Sequence, residues 1–321
     1  MKTALTGIKP TAVPHLGNYL GAIQPALALS KTYNTLYFIA DYHAFTTLRD
    51  PVALRRHVYD VAATWLAAGL DPQKTLFYRQ SAVIEVFELA WVLSCLLATG
   101  QLERGHAFKE ALASGEAPNA GVFNYPVLMA ADILLFDAHL VPVGQDQKQH
   151  LELARDVALR FNHLFGENTL VVPEPLVHEH LLVPGTDGRK MSKGYGNTVP
   201  LFAPAKELKA ALLKIKTGSE PLDAPKEPRG NAVFEMYRAV ASAEEVQGMA
   251  ESLRRGGYGW GHAKLALYDA LEVKLGPLRQ RFLELRGNEQ ALDDLLAEGA
   301  KRARHFAQAT MKRVRCAIGI S

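Results

Sequence analysis

Short apolar, strand-like runs alternate with helix-like runs through the first half of this 321-residue chain, and that alternation leaves few folds open to it. After a small run at Lys2 to Leu5, Thr35-Leu36-Tyr37-Phe38-Ile39-Ala40 reads as a strand buried on both faces, and Thr75 to Tyr78 as another. Asp50-Pro51 predicts an N-cap with proline at the first helical position, and Val52 to Ala68 keeps helical periodicity up to Gly69. Val83 to Ala98 is apolar nearly all round, which predicts a buried or interface helix. Pro126 to Phe136 and Lys148 to Phe161 read as further helices, with a strand at Leu140 to Val143 between them. The expected fold class is α/β, a doubly wound parallel sheet with helices on both faces. Such sheets bind ligands beyond the carboxyl ends of their strands, where strand order reverses. Gly7, Asp41 and Gly144 fall at predicted strand ends, so three loops are expected to share one crevice.

The stretch Thr6 to Gly21 joins the first strand to a helix-like run through glycines and prolines. Unpaired N–H groups at such a helix start suit an anion, and His15 and Asn18 add side-chain donors. Strand-loop-helix starts are common, so a structural role fits this stretch as well as a phosphate role. Asp132 interrupts the apolar run Leu128 to Leu135 and shares a helix face with Met129. It reads either as a solvated position or as a carboxylate facing an apolar pocket. Asp146 is open to two readings, an N-cap or a ribose ligand. The segment Gly185 to Asn197 carries four glycines and the cations Arg189, Lys190 and Lys193. A basic surface loop and a mobile phosphate clamp both fit it.

Beyond Pro204 strand signals fade, and Lys206 to Lys216, Ala232 to Ser242, Lys264 to Leu285 and Glu289 to Ile318 read as helices. The clusters Lys209-Lys214-Lys216 and Lys301-Arg302-Arg304 suit either a phosphate backbone or a solvated face. Net charge of +3 permits nucleic acid as a partner without requiring it. Cys95 and Cys316 are read as isolated, buried or half-buried thiols in a reducing compartment. With no signal-like start and no long apolar run, a cytoplasmic location without a membrane is expected.

His15-Leu16-Gly17-Asn18, with Lys190-Met191-Ser192-Lys193 downstream, resembles the paired HIGH and KMSKS signatures of class I aminoacyl-tRNA synthetases. Tyr125 to Leu134, Val141 to His150 and the glycine-rich Gly256 to Lys264 are similar to segments of the bacterial tryptophan-specific branch. The resemblance implies a Rossmann-like, HUP-type catalytic domain over residues 1–183. Residues 184–321 would then hold the lysine loop and a helical anticodon-binding domain, with the last helix able to pack back. It implies tryptophan activation by ATP with Mg²⁺, transfer to tRNA(Trp) and a homodimer, with no zinc, iron–sulfur or other protein-held metal.

The same resemblance implies site residues. Lys190, Lys193, His15 and Asn18 would be catalytic. Lys9, Pro10, Thr11, Gly17, Gly144, Gln145, Asp146, Leu181, Met191, Ser192 and Gly194 would join them around ATP. Asp132 would select the indole N–H, since a donor needs an acceptor. Met129, Val141, Val143 and Leu5 would form walls, and Tyr125, Gln147 and His43 would complete the tryptophan site. Three positions depart from the family pattern. Gly194 stands where serine is common, Lys9 where glutamine is, and Leu5 where an aromatic often lines the pocket, which is expected to loosen the indole fit. The alternatives are tyrosyl-tRNA ligation on the same fold, a small-molecule nucleotidyltransferase and a non-charging paralogue.

Overall fold

The computed structural model describes residues 1–320 apart from 114, 116, 143, 145–147 and 177–182, and leaves the side chains of 106 and 107 aside. Five parallel strands, β1 (Thr3–Ile8), β2 (Asn34–Ile39), β3 (Leu76–Arg79), β4 (Leu140–Pro142) and β5 (Glu174–Leu176), lie in the order β3-β2-β1-β4-β5. The order reverses between β1 and β4, so a crevice is expected at their carboxyl ends. The period of two along each strand sends alternate side chains to two separate cores. Tyr37, Ile39 and Phe77 face one core, with Val58, Tyr59 and Trp65 of the Pro51–Ala67 helix. Leu36, Phe38, Leu76 and Tyr78 face the other, beneath the helices Glu85–Ser94, Ala120–Leu134 and Lys148–Phe165.

Local signals place several boundaries. Asp50 accepts hydrogen bonds from Val52 N and Ala53 N at 2.9 and 3.1 Å, and Pro51 opens its helix as expected. Elsewhere the expected bounds shift. The helix through Asp132 begins at Ala120, capped by Asn119, not at Pro126. Proline has no N–H to give, but dense apolar packing holds the helix through it. The segment expected as one helix from Val83 to Ala98 is shorter. A single 3₁₀ turn, Gln80–Ala82, precedes the helix, which spans only Glu85–Ser94. A helix at Ala243–Arg255 was not expected, although Ser242 and Glu245 form a capping box visible as S-x-x-E.

The first core continues through Val183, Met191 and the helices Ala205–Leu213, Ala232–Arg238, Ala243–Arg255 and Trp260–Arg286. The Glu289–Ile318 helix runs back along β3, where Gly299 lies against the Phe77 carbonyl so closely that any Cβ would overlap it. Arg302 and Arg304 of this helix are used internally, on the Pro72 carbonyl at 2.9 Å and Glu85 at 3.3 Å, which argues against the whole cluster as a phosphate contact. Both cysteines are exposed, contrary to the buried reading. No helix among the described residues is long and apolar enough to cross a membrane.

Candidate active site

The reversal point of the sheet opens into a cleft of about 300 Å³. Leu5, Thr6 and Gly7 of β1 form one side, with Lys9 just beyond, and Phe38 and Ala40 at the end of β2 form another. Tyr125, Met129, Asp132 and Ile133 come from a single helix, and Val141 and Pro142 from β4. Met129 and Asp132 therefore share a face, as their spacing requires. The aromatic wall expected to be missing at Leu5 comes from β2 instead. Phe38 pairs in register with Gly7, and its ring lies where a Cβ on Gly7 would come within 2.5 Å of it. Glycine is needed there so that the ring can lie on the strand.

Asp132 is only 2% exposed, which rules out the solvated reading. His43 Nε2 lies 2.8 Å from Oδ2, and Gln80 Nε2 lies 2.9 Å from both carboxylate oxygens. Burial raises the pKa of Asp132, while the bonds from His43 and Gln80 pull it down and the charge of Asp41 raises it again. Asp41 itself does not face the cleft. It is buried, accepting from Tyr42 N, Ser81 N and the Ser81 hydroxyl. Tyr125 pairs its hydroxyl with His150, and its ring faces the Lys9 ammonium at 4.9 Å. Burial lowers the pKa of that ammonium. Thr11 is exposed, and its N–H donates to the Lys9 carbonyl at 3.0 Å. Pro10, Thr11 and Gly144 are not among the residues lining the cleft.

A second group assembles around the helix start at Leu16–Asn18. His15 Nδ1 accepts from Asn18 N at 3.3 Å, and Asn18 Oδ1 accepts from His15 N at 3.0 Å, a reciprocal cap. Burial, with the charge of Lys193 adding to it, lowers the His15 pKa to about 4. The ring is thus neutral at ordinary pH. Since Nδ1 accepts, the proton sits on Nε2, which leaves an N–H donor. The lysine loop docks on this group. Gly17 N donates to Met191 Sδ at 3.2 Å, Leu16 N to the Val199 carbonyl at 2.9 Å, and Met191 is buried. Lys190 and Lys193 are exposed, on either side of that anchor.

Asn197, which the sequence reading passed over, is the hub of the loop and only 2% exposed. Its Oδ1 accepts from Ser192 N at 2.8 Å, and its Nδ2 donates to Asp187 Oδ1 at 2.7 Å and the Lys190 carbonyl at 3.1 Å. The bond from Asn197, with those from Arg189, lowers the Asp187 pKa to about 2. Gly196 has φ 62°, a left-handed turn that favours glycine. At Gly194 a Cβ would make ordinary contact with Ser192 Oγ at 3.8 Å, so the serine common in the family would fit. Val143, Gln145, Asp146, Gln147 and Leu181 lie outside the described residues.

Residues 1–275 match the family model for class I tRNA synthetases (W and Y). The tryptophan–tRNA ligase of Pseudomonas aeruginosa is 46% identical, with 98% of this chain and 73% of the relative aligned. That of Bordetella parapertussis is 47% identical, with 98% and 72% aligned. Among solved structures, tryptophanyl-tRNA synthetase from Campylobacter jejuni, complexed with ADP and tryptophan, superposes with a TM-score of 0.93 at 40% identity, over 99% of both chains. Tyrosyl-tRNA synthetase from Archaeoglobus fulgidus shares the fold, with a TM-score of 0.66 at 19% identity over 88% of this chain and 90% of that one.

Proposed function

The chain belongs to the class I tRNA synthetases of the tryptophan and tyrosine group, and from that membership we propose how its cleft and its lysine loop divide the work. The reaction is tryptophan–tRNA ligation. ATP activates L-tryptophan to tryptophanyl-adenylate, and the acyl group then passes to the 3′ end of tRNA(Trp). The observation that carries the residue assignment is Asp132, a buried acceptor set in the wall of a mostly apolar cleft. Indole N–H donates and cannot accept, so a lone carboxylate among Met129, Val141, Phe38 and Ile133 suits it. Phenylalanine brings no N–H and forgoes that hydrogen bond. Tyr125 and Lys9 would face the polar end of the amino acid. Gln147 and Val143 are kept as tryptophan contacts, and Gln145, Asp146, Gly144 and Leu181 as contacts to the adenosine.

His15, Gly17 and Asn18 would form the fixed half of a phosphate clamp, with Lys190 and Lys193 as the moving half and Ser192 and Gly194 offering further donors. Attack of the tryptophan carboxylate on the α-phosphorus breaks the bond to pyrophosphate, so negative charge grows on the departing oxygens. Preplaced donors lower that barrier mainly by position and charge. The His15 Nε2–H and the two ammonium groups supply those donors, and Mg²⁺ enters with ATP as part of the substrate. Asn197 would hold the loop in register. Replacing Asn197 by alanine is expected to lower kcat/KM for ATP by about 10- to 100-fold while leaving tryptophan binding unchanged. Steady-state pyrophosphate exchange and tryptophan titration check this, and an unchanged ATP dependence would remove Asn197 from the clamp.

We also propose residues 1–183 and 184–321 as the catalytic and tRNA-binding regions, a cytoplasmic location and a homodimer. Phe45, Ile84 and Trp91 are 56%, 61% and 73% exposed, beside an apolar hollow lined by Tyr42, Phe87, Ala90 and Leu128. A second copy of the chain would cover them. Sedimentation of the whole chain as a monomer at micromolar concentration would exclude this. Amino-acid-dependent pyrophosphate exchange across all twenty amino acids tests the specificity. Exchange with tyrosine and none with tryptophan would overturn the assignment.

A further inference from the structure

Gln80 is 1% exposed and opens the short turn at the carboxyl end of β3. It does not line the cleft. Its amide instead links three elements. Nε2 donates to both oxygens of Asp132 at 2.9 Å, and Oε1 accepts from His43 N at 3.4 Å. A carboxylate can only accept, so the amide has one consistent orientation. The turn below is held by Asp41, which accepts from Ser81 N at 3.0 Å and from the Ser81 hydroxyl. His43 Nε2 meets Oδ2 of Asp132, which leaves Oδ1 the more available oxygen.

We propose that Gln80 is a positioning residue for amino-acid selection: it holds the Asp132 carboxylate ionised and turned so that Oδ1 accepts an N–H donor in the cleft. The proposal rests on the reading of Asp132 given above. The charged and titratable groups around Asp132 make such a support necessary. The charge of Asp41 repels its own, the buried Tyr78 on β3 feels its charge, and Lys9 lines the same cleft. His43 is the other donor. Without Gln80 a carboxyl in this surround takes up a proton more readily. A protonated carboxyl points a donor at the indole donor, so recognition weakens.

The test compares tryptophan with β-(3-benzothienyl)alanine, in which sulfur replaces the indole N–H. Gln80→Met keeps the length of the side chain and removes its donors. The ratio of kcat/KM for the two amino acids in pyrophosphate exchange is expected to be flat with pH in the unaltered chain. In Gln80→Met it should fall several-fold as the pH is lowered, the signature of an acid pKa raised by loss of the amide donor. His43 is present in both proteins, so the difference between them is the readout. An equal, flat ratio in Gln80→Met overturns the proposal. Asp132→Ala, which removes the acceptor, is the control. If it too keeps the ratio of the unaltered chain, the fault lies with the Asp132 reading and not with Gln80. Should Gln80→Met not fold, Gln80→Asn, too short to reach the carboxylate, takes its place in the same measurement. A fall of the ratio toward acid supports the proposal, and a flat ratio equal to that of the unaltered chain overturns it.

Discussion

Replacing Asp132 by alanine is expected to lower kcat/KM for tryptophan by about 10³- to 10⁴-fold and to bring phenylalanine level with it. The size of the effect follows from burial. The carboxylate accepts from His43 and Gln80 inside the fold, and alanine would leave both donors, and any indole N–H, without an acceptor. Each unpaired buried group costs about 1–3 kcal/mol. Part of that cost falls on stability, so Asp132→Asn, which keeps an acceptor oxygen, is the partner variant. Pyrophosphate exchange with tryptophan and phenylalanine, measured on variants whose thermal transitions stay cooperative, checks the result. Retained preference for tryptophan in Asp132→Ala would show that the apolar walls alone select the amino acid.

Replacing Lys193 by alanine is expected to slow single-turnover adenylate formation by about 10²- to 10³-fold, with little change in tryptophan binding. Lys193 lies close enough to His15 for its charge to help keep that imidazole neutral. The two groups therefore lie near one another on separate loops. The ammonium matters most when charge builds on the departing pyrophosphate and less in the ground state, so the loss should appear in the rate and not in affinity. Docking through Met191 and Gly17 is independent of the lysine side chain, so the loop should stay in place. Rapid quench of ATP and tryptophan on excess enzyme checks this. An unchanged rate would remove Lys193 from the reaction.

Much of the site was legible in the chain because its parts are short and local. His15 and Asn18 cap a helix three residues apart, and Met129 and Asp132 share a face at helical spacing. The lysine loop declares itself by glycines and cations. What was missed has a common cause. Gln80 and Ser81 are polar residues at a strand end, as Asp41 and His43 are, yet nothing local tells which of them faces a ligand. Asn197 follows the lysine loop like any turn residue, and its value comes from four partners in a folded loop. The start of the Asp132 helix was misplaced because proline favours a first turn in isolation, whereas apolar packing holds it inside a helix.

The amino-acid sequence by itself determined four of the five strands, most of the long helices, the glycine-bearing loops between them and the residue types proposed to bind nucleotide and indole. Period-two and period-3.6 patterns and caps act over a few residues, so they are written locally. Only the tertiary structure decided which of these groups meet. His43 and Gln80 reach Asp132 across 89 and 52 residues of chain because β1, β2 and β3 lie side by side and the Asp132 helix packs over them. The Phe38 ring faces Gly7 because two strands stand in register. Such contacts depend on strand order and on which face each side chain takes, and these are settled by burial of the two cores together, not by any one segment.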